Sequence, residues 1–152
     1  MAGTFCQIYI QFVFAVKGRT NLLDKSWRKE VFRYISGIIS GNNQKSIIVN
    51  GVSDHVHALV GMKSTMSISE LIQDIKASSS KFINDQKYLP RKFEWQSGYG
   101  AFSYAHSQLD SVYKYIENQE EHHQKQSFRT EYIELLRNFE MNFDERYLFD
   151  WI

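Results

Sequence analysis

Residues 46–62 read SIIVNGVSDHVHALVGM, and the fold turns on them. Two short β-type runs, Ser46–Val52 and His55–Met62, flank the turn pair Ser53-Asp54, which predicts an antiparallel hairpin forming strands two and three. Upstream, residues 5–16 (FCQIYIQFVFAV) form an almost unbroken β-branched and aromatic run, predicting a first strand buried on both faces or nearly so. Between them lies a helical pattern with Asp24 and Ser26 as candidate caps and apolar residues at Trp27, Val31, Tyr34, Ile35, Ile38 and Ile39. Gly41-Asn42-Asn43 is its stop signal.

Downstream, Ser67-Ile68-Ser69-Glu70 has the spacing of a capping box and opens a second helix whose apolar stripe is Ile68, Leu71, Ile72, Ile75, Phe82 and Ile83. The lone proline, Pro90, lies beyond its end. Phe93 to Tyr104, interrupted by Gly98 and Gly100, predicts a fourth strand with a bulge or bend. Ser107 with Asp110 opens a third helix, with Leu109, Val112, Tyr113 and Ile116 expected to face the core, and Ser127 caps a fourth running to about Asn138. The order β-α-β-β-α-β predicts an α+β, ferredoxin-like antiparallel sheet with helices on one face, followed by C-terminal helices.

The 152 residues fit one domain, 1–152, with 139–152 as a C-terminal tail. At 43% hydrophobic and 23% charged, the chain has the means to build a core, which excludes a disordered or low-complexity class. A single cysteine, Cys6, excludes an internal disulfide and a multi-thiolate zinc site. No run approaches the ~18–20 apolar residues of a membrane span, and the first basic residue is Lys17, so the expectation is a cytoplasmic protein with no membrane partner. The formal charge is +1, but the stretch from Glu140 onward is acidic, which leaves the body modestly basic.

Side chains alternate along a strand, so His55 and His57 share a face while Val56, Ala58 and Val60 point into the core. Two imidazoles fixed side by side are a half-site for a divalent metal, or else a pair of satisfied histidines. At ~100° per residue on the third helix, with Leu109 at zero, Tyr115 falls at about 240°, Gln119 at about 280° and His122 at about 220°. Tyr115 and Gln119 therefore stack on one polar flank, a phenol and an amide facing one small volume. Each alone is ordinary helix-edge polarity; together with the histidines they suggest a site.

These residues resemble the single-tyrosine HUH transposases of bacterial insertion sequences that move as single-stranded DNA, the IS200-like transposase family. SDHVHALV (Ser53–Val60) is similar to the family's histidine-hydrophobe-histidine motif, and Tyr115-Ile116-Glu117-Asn118-Gln119, followed by EEHH, to its Y-x-x-x-Q motif. WQSGYGAFS (Trp95–Ser103), SSSKFIN (Ser78–Asn84) and FDERYLFDW (143–151) also resemble it. The resemblance implies that the C-terminal helices carry the tyrosine. It also implies that His55, His57 and Gln119 hold Mg²⁺ or Mn²⁺, and that Tyr115 attacks a phosphodiester to leave a 5′-phosphotyrosine and a free 3′-hydroxyl.

A phenol with pKa near 10 is a weak nucleophile at neutral pH, which fits a metal-dependent reaction. The resemblance further implies a homodimer with active sites shared between subunits and a single-stranded DNA partner with subterminal hairpins. Lys76, Lys81, Arg91, Lys92 and Trp95 are the expected phosphate and stacking contacts. Gln11 stands on the first strand where the family often carries a histidine. His106, His122 and His123 are expected at the surface or near phosphates, with His122, on the Tyr115 flank, alternatively in reach of the metal or leaving group. Two competing readings are a domesticated relative acting on genomic palindromes and a non-catalytic single-stranded nucleic-acid binder on the same sheet.

Overall fold

The structure is a computed structural model describing residues 3–144 and 148. Its elements are β1 (Ile8–Ala15), α1 (Arg28–Gly41), β2 (Lys45–Gly51), β3 (His55–Met62), α2 (Ile68–Gln86), β4 (Gly100–Tyr104), α3 (Leu109–Glu117), α4 (Gln119–Lys125) and α5 (Phe128–Asn138). The four strands lie in the order β2-β3-β1-β4, every neighbouring pair antiparallel. This is the expected α+β, ferredoxin-like arrangement.

The alternation of β1 and β3 divides the interior into two layers. Phe12, Phe14, Val56, Ala58 and Val60 face α1 and α2, joined by Val31, Ile35, Leu71, Ile75 and Trp95 in the main core. The other face carries Val13, Ala15 and Phe102 against α5, and Leu59 against Val112 and Ile116 of α3. The C-terminal helices thus cover the face that α1 and α2 leave open. That explains why all eight residues of β3 are buried.

Ser67 caps α2 as its spacing predicts, its hydroxyl accepting from Glu70 N at 3.1 Å. Ser127 does the same for α5 through Thr130 N at 3.2 Å. Other local expectations are corrected. Asp24 and Ser26 do not cap α1, because Asp24 Oδ2 is engaged by Ser26 N in a turn one step earlier and α1 starts after Trp27 with no side-chain cap. The fourth strand is only Gly100–Tyr104. Residues 93–97 touch the sheet at a single bridge, Val16 to Trp95, and Gly98 breaks the run at φ 86°, in the left-handed region.

Tyr113 is 39% exposed rather than facing the core. The buried side of α3 is turned toward Tyr115 because the groups it meets belong to the site described next. The helix also does not run on through Gln119: Asn118 (φ −94°, ψ 23°) divides α3 from α4, an element with no counterpart in the sequence reading. Phe139, Phe143 and Leu148 pack on the α5 side of the sheet, and most of the 143–151 motif lies outside the described residues. No helix among the described residues is long and apolar enough to cross a membrane.

Candidate active site and metal centre

His55 and His57 are fully buried on the α3/α5 side of β3, their rings 5.2 Å apart. Each Nε2 points at one carboxylate, that of Glu131 on α5: His57 Nε2 to Oε1 is 3.1 Å and His55 Nε2 to Oε1 is 3.2 Å. His123 Nε2 reaches the same oxygen at 3.1 Å. The second oxygen, Oε2, accepts from the Tyr115 hydroxyl and from Gln119 Nε2 at 2.9 Å. Gln119 Oε1 faces His55 Nε2 at 3.1 Å. Five side chains from three elements, β3, α3 and α4, therefore meet at a carboxylate of a fourth, which is itself 2% exposed.

Behind each histidine stands a second contact. His55 Nδ1 meets Asp54 Oδ1 at 2.8 Å, so Nδ1–H donates to a carboxylate and Nε2 is directed into the site. His57 Nδ1 meets Gln11 Nε2 at 2.8 Å, and Gln11 Oε1 accepts from the Tyr104 hydroxyl at 2.6 Å. Gln11, fully buried, thus fills the position behind His57. The His55 ring is held between Phe128, stacked at 3.9 Å, and His123 at 4.5 Å.

The electrostatics follow from burial. Desolvation alone would raise the Glu131 pKa, but His57, His123 and His55 outweigh it and hold the carboxyl far below its ordinary value, so it is an anion. Burial works against charged His55, yet Asp54 and Glu131 together raise its pKa above normal. For His57 burial wins and the pKa is lowered, leaving a neutral ring. Tyr115 is pushed above the ordinary phenol range, first by burial and then by the Glu131 charge. In this arrangement the phenol stays protonated.

His55, His57 and Glu131 each offer a ligand atom, all within 4.8 Å of one another. Two imidazoles and one carboxylate fit a divalent cation of the Mn²⁺ class, with the Gln119 amide oxygen beside them. The donor set is chemically suitable because the anion at its centre is buried and already surrounded by positive and polar groups that a cation could replace. The tyrosine unit is fixed onto the sheet from outside the site. Asn50 Nδ2 on β2 donates to Ile116 O at 2.9 Å and to Glu117 O at 3.1 Å, at the end of α3. Arg28 of α1 donates to Glu120 of α4 at 2.8 Å. A cavity of about 410 Å³ opens beside Tyr115 and Glu131, bounded by Tyr104, Ser107, Ser111 and Leu135.

The structure brings together His55, His57, Tyr115 and Gln119, as the sequence suggested. Glu131 was missed, although a signal exists: it interrupts the apolar stripe Phe128, Tyr132, Leu135 and Leu136, where a charge is out of place. His123, expected at the surface, is instead a partner of Glu131. His122 lies beside the Tyr115 ring at 4.7 Å, and His106 packs near Tyr9 at 5.9 Å.

The expected DNA contacts lie with α2, across the sheet from the histidines. Lys76, Lys81 and Lys92 border one groove of about 490 Å³. Lys76 Nζ is bound to Gln96 O (2.8 Å) and Gly98 O (2.5 Å), and burial lowers its pKa to about 8. Lys81 pairs with Asp85, and Arg91 borders a neighbouring hollow with Lys17 and Glu94. Trp95 is not an exposed stacking platform. It is 8% exposed, packed edge-on to Phe14 and Phe93, and its indole N–H is donated to Ser79 at 2.9 Å.

Residues 4–119 match the family model described as IS200-like transposase. Among solved structures, the chain is similar to a protein of Deinococcus radiodurans R1 described as a transposase, at TM-score 0.64 and 18% identity, covering 78% of this chain and 95% of that one. It is also similar to a REP-associated tyrosine transposase bound to a REP hairpin, at TM-score 0.54 and 10% identity, covering 78% and 68%. At such identities the two structures speak for the fold. No curated protein matches the chain.

Proposed function

The chain belongs to the IS200-like transposase family, and from that premise we propose that it cuts and rejoins single-stranded DNA at mobile-element ends with Tyr115 as nucleophile. The observation that carries this reading is the convergence of the Tyr115 hydroxyl, Gln119 and both strand histidines on Glu131. His55, His57 and Glu131, with the Gln119 amide oxygen at their side, would hold Mg²⁺ or Mn²⁺, which supplies charge compensation to the scissile phosphate. Tyr115 Oη attacks phosphorus and the bond to the 3′ oxygen breaks, leaving a 5′-phosphotyrosine and a 3′-hydroxyl. The reverse attack by a 3′-hydroxyl joins ends without an added energy source. Glu131 orients the phenol, Gln119 orients Glu131, and Asp54 and Gln11 hold the two imidazoles.

The DNA enters beside Tyr115, and the groove of Lys76, Lys81 and Lys92 accepts the phosphates of a subterminal hairpin. A homodimer with shared sites would require α3 to α5 to exchange between chains. The contacts that Asn50, Arg28 and Gln119 make would then join two chains. With DNA as substrate and one free thiol, the protein acts in the cytoplasm as a single domain.

The test is incubation with single-stranded DNA from the flanks of its own gene, with and without Mn²⁺. A Mn²⁺-dependent covalent adduct that disappears in Tyr115→Phe is the expected result. An adduct that survives the substitution removes Tyr115 from the role. Binding without cleavage, unaffected by His57→Ala, would favour the non-catalytic binder, and cleavage confined to scattered genomic palindromes the domesticated relative.

A further inference from the structure

Gln11 is a fully buried amide with a hydrogen bond at each end, and its two partners impose a directional constraint. Its Nε2 can only donate, so His57 Nδ1, 2.8 Å away, must accept and carries no proton. The neutral His57 ring then has its proton on Nε2, where it donates to Glu131 Oε1 at 3.1 Å. That is the wrong tautomer for a metal ligand, because Nε2 has no free lone pair. His55 differs: Asp54 always accepts, so its Nδ1–H is fixed whatever happens at Nε2.

We propose that Gln11 is the positioning residue that selects the His57 tautomer, and that its amide turns over when the cation binds. This inference rests on the metal-site reading above. Rotated by half a turn, the amide presents Oε1 to His57 Nδ1 and Nε2 to the Tyr104 oxygen, a hydroxyl able to accept as well as donate. His57 then gains a proton at Nδ1 as it loses the one at Nε2, so the ring stays neutral and its lone pair faces the metal. An amide suits both states because it is a donor at one end and an acceptor at the other. A carboxylate would hold only the metal-binding tautomer, and an apolar side chain would hold neither. Tyr104 also borders the cavity beside Tyr115, so the turnover reverses a hydroxyl at the substrate space.

The test uses full-length protein with ¹⁵N-labelled histidine, observed through its ring nitrogens by long-range ¹H–¹⁵N NMR without metal and with Mg²⁺. Mn²⁺ affinity is measured alongside by calorimetry for wild type, Gln11→Glu and Gln11→Leu. The wild-type His57 Nδ1 is expected to be unprotonated without metal and protonated with Mg²⁺, while His55 Nδ1 is protonated in both. Gln11→Glu should show His57 Nδ1–H before any metal is added, and Gln11→Leu should lose 10- to 100-fold in Mn²⁺ affinity. Wild-type His57 already protonated at Nδ1 without metal, or a folded Gln11→Leu with wild-type affinity, overturns the inference and leaves the metal site standing. A wild-type protein that binds no Mn²⁺ overturns both. Should Gln11→Leu not fold, the spectra of wild type and Gln11→Glu decide the matter.

Discussion

The Tyr115 hydroxyl donates to Oε2 of Glu131, while Oε1 of the same carboxylate faces the nitrogens of His55, His57 and His123. The phenol and the three imidazoles are therefore joined through one anion on α5, outside both the HVH strand and the helix that carries the tyrosine. The charge is shared between the two oxygens through one carbon, so a change at one is felt at the other.

Glu131→Gln keeps the shape and removes the charge. Mn²⁺ affinity is expected to fall by 10-fold or more, and the metal-free fold to lose about 3–5 kcal/mol, since the buried imidazoles are left without their anion. Calorimetric titration and denaturant unfolding measure the two effects. Unchanged Mn²⁺ affinity would remove Glu131 from the ligand set.

The pH dependence has two limbs of opposite sign. Glu131 has a depressed pKa, so its contribution to stability is present above its ordinary value of 4.5 and is lost as pH falls toward its folded value. His55 has a raised pKa, so its contribution is complete below its ordinary value of 6.5 and is lost as pH rises through the folded one. Because that proton competes with a cation for Nε2, Mn²⁺ affinity should climb over the same interval above 6.5. Thermal midpoints and metal titrations across pH 4 to 9 check both; a flat metal affinity contradicts the assignment of His55.

Gly100→Ala should damage the site from a distance. A Cβ there would stand 2.8 Å from the Tyr132 hydroxyl and 2.9 Å from its ring, so the Tyr132 side chain must give way, beside Glu131 on α5. A loss of about 1–3 kcal/mol in stability is expected together with weaker Mn²⁺ binding, although residue 100 touches no ligand. Wild-type metal affinity in a destabilised variant would show that α5 tolerates the shift.

Trp95→Phe and Lys92→Ala should separate packing from DNA contact. The first leaves the Ser79 hydroxyl without its indole partner and should cost about 1 kcal/mol in unfolding free energy, with single-stranded DNA affinity unchanged. The second should leave stability alone and reduce the salt dependence of DNA binding by about one ion. Fluorescence anisotropy over a salt series distinguishes them.

What the sequence revealed was local or periodic. The HVH strand and the Ser67 cap are short-range patterns that stand where expected, whereas Tyr115 and Gln119 reach one site from two helices parted at Asn118. Tyr113 and Glu131 were misread or missed for one reason: helical periodicity identifies a stripe but not what it packs against. With α3 and α5 facing a polar cluster, the flank that looked solvated is the buried one, and Gln119 is fully enclosed. Trp95 sits beside glycines and lysines in sequence, yet the bridge to Val16 carries it into the core. Gln11 bears on His57 only through the pairing of β1 with β3, which sequence spacing does not show.

The His55 imidazole, with Phe128 parallel to it at 3.9 Å on one side and His123 on the other, is a rotor with nowhere to turn. Its torsional entropy is surrendered once, when the chain folds, so a cation held as proposed would meet a ligand already aimed and would immobilise nothing further on that side. Loosening the clamp at Phe128 would transfer that entropic burden to the moment of capture.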